Sequence, residues 1–254
     1  MKIVIIGAGN TATVLGRKLS AAGHEILQVM GRSGAHAAVL ASTLGCSYTC
    51  NPAEINPEGE VYLAAVTDSA LGHLGETLCL PGKLIVHTAG SVPGHVLRPV
   101  SGRYGVFYPL QSLRKEMDTI PEIPILVDGV SEDIRNLLFG LALTITDQVI
   151  FASDLVREKL HVAATLANNF TNHLYTLAAQ YCQGESIDFA LLYPLIKETA
   201  GRISHLSPMD VQTGPAVRRD QLTIEKHINL LQGYGYTREL YIQMTENIRQ
   251  FYGL

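Results

Sequence analysis

The sequence lacks the pairings that would make its cysteines a framework or a metal site. Only four cysteines, Cys46, Cys50, Cys79 and Cys182, occur in 254 residues. None stands in a CxxC pair or at zinc-ligand spacing, so no metal is expected. Reduced thiols in a cytoplasmic protein are the reading that redox compartments favour. Nor does any apolar stretch approach the roughly 20 residues that span a bilayer. The run Lys2-Ile3-Val4-Ile5-Ile6 meets Gly7 too soon for a signal peptide, and no membrane partner is expected. Positive charge is also wanting. A formal net charge of −4 gives no broad basic field, which argues against a nucleic-acid partner and leaves room only for a local basic pocket.

What is present is core material. Hydrophobic residues make up 47% of the chain and charged residues 17%, which excludes disorder and permits one large domain or two ordinary ones. The two halves differ in texture. Up to residue 150, short apolar runs alternate with helical patterns: Ile3–Ile6, Ile26–Met30, Val61–Val66, Leu84–His87, Gly105–Tyr108, Ile125–Val127 and Thr144–Ile150. Helices are predicted between them at 10–22, 34–44, 69–79 and 131–142. Such alternation means βαβ units and a mostly parallel sheet. From residue 152 the strand pattern stops, and long periodic stretches at 152–182, 186–206, 209–231 and 236–252 read as helices. Ser153 is a suitable N-cap for the first of them. The expected fold is therefore α/β, a Rossmann-type domain over 1–150 followed by an all-helical domain over 151–254. No Gly/Ser-rich linker parts the halves, so a rigid interface is expected. The last helix carries Leu240, Ile242, Ile248 and Phe251 at helical spacing. That face serves either an internal core or a homodimer contact through the helical domain.

Gly7-Ala8-Gly9-Asn10-Thr11-Ala12 is a G-x-G-x-x-A pattern that follows a strand and opens a helix. Gly7 allows the tight turn, Gly9 lets backbone approach a pyrophosphate, and Ala12 lets helix and strand pack closely; the helix N-terminus offers N–H groups to the anion. The second strand ends in Gly31-Arg32-Ser33. An NAD site usually places Asp or Glu there to hold the ribose hydroxyls, and none is present. Arg32 can instead face a 2′-phosphate with Ser33 adding a hydroxyl, which makes NADP the expected cofactor. The other reading is a solvated loop arginine. Thr67-Asp68-Ser69 and Thr88-Ala89-Gly90-Ser91 follow the next strands, where ligands gather in such sheets. Asp68 and Ser69 suit a helix cap as well as they suit ligand contact. Gly90, beside two hydroxyls, suits close approach of a nicotinamide or a substrate oxygen, and His87 reads as a satisfied strand-end histidine.

In the second half, His161, Thr165, Asn168, Asn172 and Tyr175 recur at spacings that put them on one helix face. Their neighbours Ala163, Ala164, Leu166 and Ala167 look buried. A buried polar stripe must find partners, in neighbouring helices or by lining a pocket. The pocket is favoured.

The chain as a whole resembles Rossmann-like oxidoreductases whose C-terminal half is a helical domain of unknown function. That family is similar to NADP-dependent, deazaflavin-linked oxidoreductases and is related to pyrroline-5-carboxylate reductase and the β-hydroxyacid dehydrogenases. The matching pieces are Gly7–Ala12, Gly31-Arg32-Ser33, His87–Ser91, Tyr108-Pro109-Leu110-Gln111, His161–Asn169 and Thr213-Gly214-Pro215-Ala216-Val217-Arg218-Arg219-Asp220. The resemblance implies a helix beside the nicotinamide. β-Hydroxyacid dehydrogenases carry Lys-x-x-Asn-Asn there, with Lys as general acid; this chain keeps Asn168-Asn169 but has Thr165 at the Lys position. Tyr108 likewise stands where the resembled family has His before Pro. Gly214-Pro215 with Arg218 and Asp220 resembles the helix start that holds substrate in pyrroline-5-carboxylate reductase.

The expectation is an NADP-dependent oxidoreductase acting on a small, anionic C=O or C=N substrate. An imidazole titrates near operating pH, which makes His161 the candidate general acid. Asn168 and Asn172 would orient the substrate, Thr88 or Ser91 would bond its oxygen, and Gly214 and Arg218 would meet its carboxylate. Lys159, on another helix face, is a weaker acid candidate. Thr67, Asp68 and Ala89 join the glycine motif around the cofactor. The rivals are a non-catalytic NADP-binding sensor and an enzyme whose second redox partner is a deazaflavin.

Overall fold

The computed structural model describes every residue but 118, and the chain divides into two compact units, 1–168 and 169–254. The expected boundary at 150/151 falls inside the first unit.

In the first unit eight strands form one sheet in the order β3-β2-β1-β4-β5-β6-β7-β8. These are β1 (Lys2–Ile6), β2 (Glu25–Met30), β3 (Ser47–Thr49), β4 (Val61–Ala64), β5 (Leu84–His87), β6 (Arg103–Pro109), β7 (Ile125–Gly129) and β8 (Val149–Phe151). Only the β6–β7 pairing is antiparallel. The central strands are apolar on both faces because both faces are covered. Ile3, Ile5, Leu63 and Val86 join one core with Leu15 and Leu19 of α1 (Asn10–Ala21), Leu40 of α2 (Gly34–Leu44) and Leu138 of α5 (Glu132–Leu143). Val4, Ile6, Tyr62 and Ile85 join the other with Leu71 of α3 (Asp68–Leu71) and Leu74 of α4 (Leu74–Thr77).

Local chemistry sets the helix ends. Ser33 and Ser131 accept from His36 N and Ile134 N to cap α2 and α5. Gly45, at φ +67°, ends α2 in the left-handed conformation. The helix expected over 69–79 is instead two single turns, since Gly72 ends the first of them. The strand expected over 144–150 begins only at Val149, because Thr144 turns back onto the end of α5 through bonds to Leu141 O. After β8, α6 (Asp154–Ala164) is capped by Ser153 and closes on a six-residue π-helix, Thr165–Phe170.

The second unit holds α7 (Thr171–Gly184), α8 (Tyr193–Arg202), α9 (Gln221–Leu230) and α10 (Gly235–Phe251). Residues 209–220, expected as helix, run mostly as turns, and the Asp220 carboxylate caps α9 by accepting from Thr223 N and Oγ1. Only Cys182, Ala216, Ile224 and Leu231 are buried in this unit. No helix among the described residues is long and apolar enough to cross a membrane.

Candidate active site at the carboxyl ends of the strands

The glycine turn has the geometry its sequence demands. Gly7 sits at φ +116°, and a Cβ there would lie 2.2 Å from the Ala65 carbonyl oxygen, so β1 and the residue after β4 meet only because Gly7 has no side chain. Gly9 is the N-cap of α1, no side chain caps that helix, and nothing lies within 4 Å of where a Gly9 Cβ would be. The first N–H groups of α1 thus carry no side-chain cap, and the space beside Gly9 is open, which suits the approach of a pyrophosphate. Ala12 is fully buried against the sheet. Asn10 also holds the chain after β6: its Oδ1 accepts from Lys115 N at 3.4 Å, and Arg17 donates to Lys115 O at 3.2 Å. Sequence reasoning passed over Lys115, since only the fold brings it to α1.

Arg32 is exposed, with no hydrogen bond or ion pair among the described residues. Its neighbour Ser33 spends its oxygen as the α2 cap but keeps its hydroxyl proton. A free guanidinium beside a helix N-terminus fits a 2′-phosphate.

The next two loops are tied together. Asp68 Oδ2 accepts from Ser91 Oγ at 2.6 Å, and Thr88 N donates to Ala64 O at 3.3 Å. Thr67 is the N-cap of α3 without a side-chain bond to it, and its hydroxyl meets Ser69 Oγ at 3.3 Å. Thr88 and Ala89 are buried, whereas Ser91 is exposed.

The densest chemistry lies on Gly90. Tyr108 of β6 and His161 of α6 meet there, hydroxyl to Nδ1 at 3.0 Å with the rings edge to face. A Cβ on Gly90 would stand 2.6 Å from His161 Nδ1 and 2.9 Å from Tyr108 Cζ. So Gly90 receives its own site's side chains rather than lying open for a ligand. Burial raises the Tyr108 pKa above the usual phenol value, Asp68 adds to the rise, and Arg157 opposes it. The phenol stays protonated.

Beneath the pair, His87 is fully buried. Its Nδ1 accepts from Ala89 N at 3.2 Å, while Nε2 has the Pro93 carbonyl near it but no well-formed hydrogen bond among the described residues, so it is only half satisfied. Burial first, then the Arg157 charge, push its pKa down to about 4, against a Pro93 carbonyl, Asp154 and Asp68. The ring is neutral at physiological pH. Arg157 is the second residue that sequence reading missed: 1% exposed, it donates to the Val92 carbonyl and to Asp154 Oδ1. A charged side chain one turn before His161 was a signal, but in a helix of mixed polarity it reads as solvated.

The polar stripe expected along this helix is interrupted. Thr165 Oγ1 bonds back to His161 O at 2.9 Å, and the π-helix from Thr165 to Phe170 breaks the 3.6-residue period on which the shared face depended. Asn168 and Asn172 are exposed, and Ala163, Leu166 and Ala167 are exposed rather than buried. Lys159 is exposed as well. In the second unit, Gly214 adopts φ +113° in a turn, not at a helix start, and Arg218 is exposed. The helix that follows begins at Gln221, and the Asp220 carboxylate already occupies its N-terminus. No cluster of metal-ligating side chains occurs among the described residues, and the four cysteines are free thiols.

Residues 2–90 match the family described as NADP oxidoreductase coenzyme F420-dependent, and residues 123–248 match the Domain of unknown function DUF2520. A Bacteroides fragilis protein described as a candidate NADP oxidoreductase shares 37% identity over 98% of both chains, with a TM-score of 0.92. The chain belongs to this NADP oxidoreductase family. Two more distant likenesses fix the fold only. An imine reductase of Myxococcus stipitatus, solved with NADP+, is 15% identical over 98% of this chain and 93% of its own, with a TM-score of 0.69. A 1-pyrroline-5-carboxylate reductase of Streptococcus pyogenes is 15% identical over 97% and 98%, with a TM-score of 0.66. No curated protein matches the chain significantly. Membership in the family supports a nicotinamide dinucleotide as the cofactor.

Proposed function

We propose that the protein is an NADPH-dependent reductase of a small C=N or C=O compound, with His161 as the proton donor. The observation that carries this reading is the Tyr108–His161 pair seated on Gly90, at the carboxyl ends of strands that also hold the glycine turn. The cofactor, when bound, supplies the hydride. Gly7, Gly9, Asn10, Thr11 and Ala12 would hold its pyrophosphate, and Arg32 with Ser33 its 2′-phosphate. Thr67, Asp68 and Ala89, after β4 and β5, would meet the cofactor on the other side of β1 from Arg32.

With its ring protonated, His161 donates Nδ1–H to the Tyr108 oxygen. That bond fixes the ring and leaves Nε2–H to pass its proton to the substrate atom that gains charge. The product is a neutral imidazole still bonded through Nδ1. Tyr108 orients the ring without ionising, as its raised pKa requires. Thr88 and Ser91 would be the hydroxyls for a substrate heteroatom.

The active form we propose is a homodimer through the helical unit. Leu222, 73% exposed, belongs to α9, Phe251, 64% exposed, to α10, and Leu191, 73% exposed, to the 3-10 turn Phe189–Leu192 before α8, and these elements bury too little to stand uncovered. A second copy offers the same apolar faces in equal number, as an isologous contact requires.

The deciding experiment is steady-state turnover with NADPH against a panel of cyclic imines and keto acids. Oxidation of NADPH coupled to loss of one panel member supports the reductase. Tight NADPH binding with no turnover across the panel would turn the reading to a sensor, and turnover only with a deazaflavin would replace the substrate by a second redox partner. Sedimentation tests the dimer, which must run at twice the 27.6 kDa of the chain.

A further inference from the structure

Arg157 heads the fully buried side chains by volume, yet neither the cofactor turn nor the proton donor uses it. A buried guanidinium is costly unless fully paired. Here Nη2 donates to the Val92 carbonyl and to Asp154 Oδ1, while Nε and Nη1 have no partner among the described residues. Asp154, one turn earlier and half exposed, accepts from Gly94 N at 3.1 and 3.3 Å. Two residues of α6 thus grip both ends of the Val92–Gly94 segment. Ser91, the residue before it, is held by Asp68. The loop that leaves β5 is fixed at these points, and one turn after Arg157 on the same helix face His161 rests on Gly90 in that loop.

An apolar side chain of the same length could fill this space. What a charged side chain adds is fixed charge next to two titratable groups, and what the guanidinium adds beyond charge is the fork that holds the Val92 carbonyl and Asp154. The groups that face His87 are Arg157 and Asp154 from α6, Asp68 from the start of α3, and the Pro93 carbonyl, with Arg157 the one that most disfavours a charged ring after burial itself. Arg157 and Asp68 also face Tyr108, with opposite effects.

We propose that Arg157 is a positioning residue for the Tyr108–His161 pair: it locks α6 onto the loop after β5, so that His161 keeps its seat on Gly90, and it sets a fixed positive charge beneath the pair. The proposal rests on the proton-donor reading for its use, but its test does not.

Histidine ring signals of the whole 15N-labelled protein are followed against pH, with His87→Asn and His161→Gln used for assignment. In the unsubstituted protein His87 should titrate at about 4. In Arg157→Met its midpoint should rise as the opposing charge goes, and the His161 signals should move as its seat loosens. Arg157→Lys should restore the low His87 midpoint, because the charge is kept, but not the His161 signals, because the fork is lost. Asp154→Asn, at a half-exposed residue, tests the grip alone and covers the case of an unfolded Met variant. It should move the His161 signals and leave the His87 midpoint low. Arg157→Met with both readouts unchanged and only a lower melting temperature, or Asp154→Asn with unmoved His161 signals, overturns the proposal. Absence of turnover with every substrate would sink the reductase reading and leave these readouts decisive for Arg157.

Discussion

Replacing His87 tests whether the charge beneath the site has thermodynamic weight. Its pKa falls from an ordinary 6.5 to about 4 in the folded chain. A depressed folded pKa means that the unfolded state binds the proton more tightly, so the contribution to stability is fully present above pH 6.5. It is lost as pH falls toward the folded value. The whole linkage is worth about 3 kcal/mol, of which roughly 2 kcal/mol disappears between pH 7 and pH 5. Asn at this position keeps an acceptor near Nδ1 for the Ala89 N–H and removes the titrating ring. The His87→Asn protein will be less stable at pH 7, since a buried ring is gone, but its stability should fall less steeply with acid. For a chain of this size the excess drop in melting temperature of the unsubstituted protein between pH 7 and pH 5 should be roughly 4–8 °C. Carboxylates titrating in the same window act on both proteins and cancel in the comparison. Parallel melting-temperature curves from pH 7 to pH 5 would refute the buried, neutral His87.

Three further outcomes follow from the site. Calorimetric titration should give NADPH at least tenfold tighter binding than NADH, about 1.4 kcal/mol, with the preference abolished in Arg32→Ala; equal affinities in the unsubstituted protein defeat the 2′-phosphate assignment. Gly90→Ala puts a methyl group where His161 and Tyr108 meet, so it should keep NADPH affinity, lower stability by about 1–3 kcal/mol and cut turnover by about 10²-fold. Turnover left intact would mean that the pair's position is unimportant. His161→Gln should lower turnover by roughly 10²–10⁴-fold with NADPH affinity retained. A variant that is merely less stable, at full activity per folded molecule, removes His161 from the chemistry.

The first half of the fold was legible because its signals are local. A two-sided apolar strand, a glycine turn and a serine cap each declare themselves within a few residues, and β1, α1, β2 and α2 lie where their patterns put them. β3 escaped notice because Ser47–Thr49 is a short edge strand with little to bury. The helical half was legible as helix but not as surface. Periodicity says which residues share a face, not what covers that face, and Ala163 and Leu166 proved exposed. The π-helix at Thr165 was invisible too, since a single π-turn requires no signature residue. Among site residues, the glycine motif was plain. Tyr108, 53 residues from His161, becomes its partner only when β6 and α6 are both in place. Arg157 drew no attention in the sequence because arginine is seldom buried, and nothing local marks it as the exception.

The absence of lysine at position 165 bears on which double bond the site can reduce. A carbonyl oxygen gains a full negative charge as hydride arrives, and a permanently charged ammonium beside it stabilises that change throughout. An iminium ion starts positive and loses its charge in the same step. For such a substrate an adjacent ammonium is repulsive before reaction and useless after it. A donor that gives up its proton before hydride transfer suits it better, because imidazolium becomes neutral imidazole as the imine becomes cationic. His161 can do this; lysine, with an ordinary pKa near 10.4, would yield its proton reluctantly at neutral pH. The buried Arg157 does not reverse the argument, since its guanidinium lies against the Val92 carbonyl and the Asp154 carboxylate rather than at the substrate face. Within the reductase reading, the pairing of His161 with a protonated Tyr108 therefore weighs toward C=N over C=O. The substrate panel should show it as higher kcat/KM for cyclic imines than for keto acids, and the reverse order would refute it.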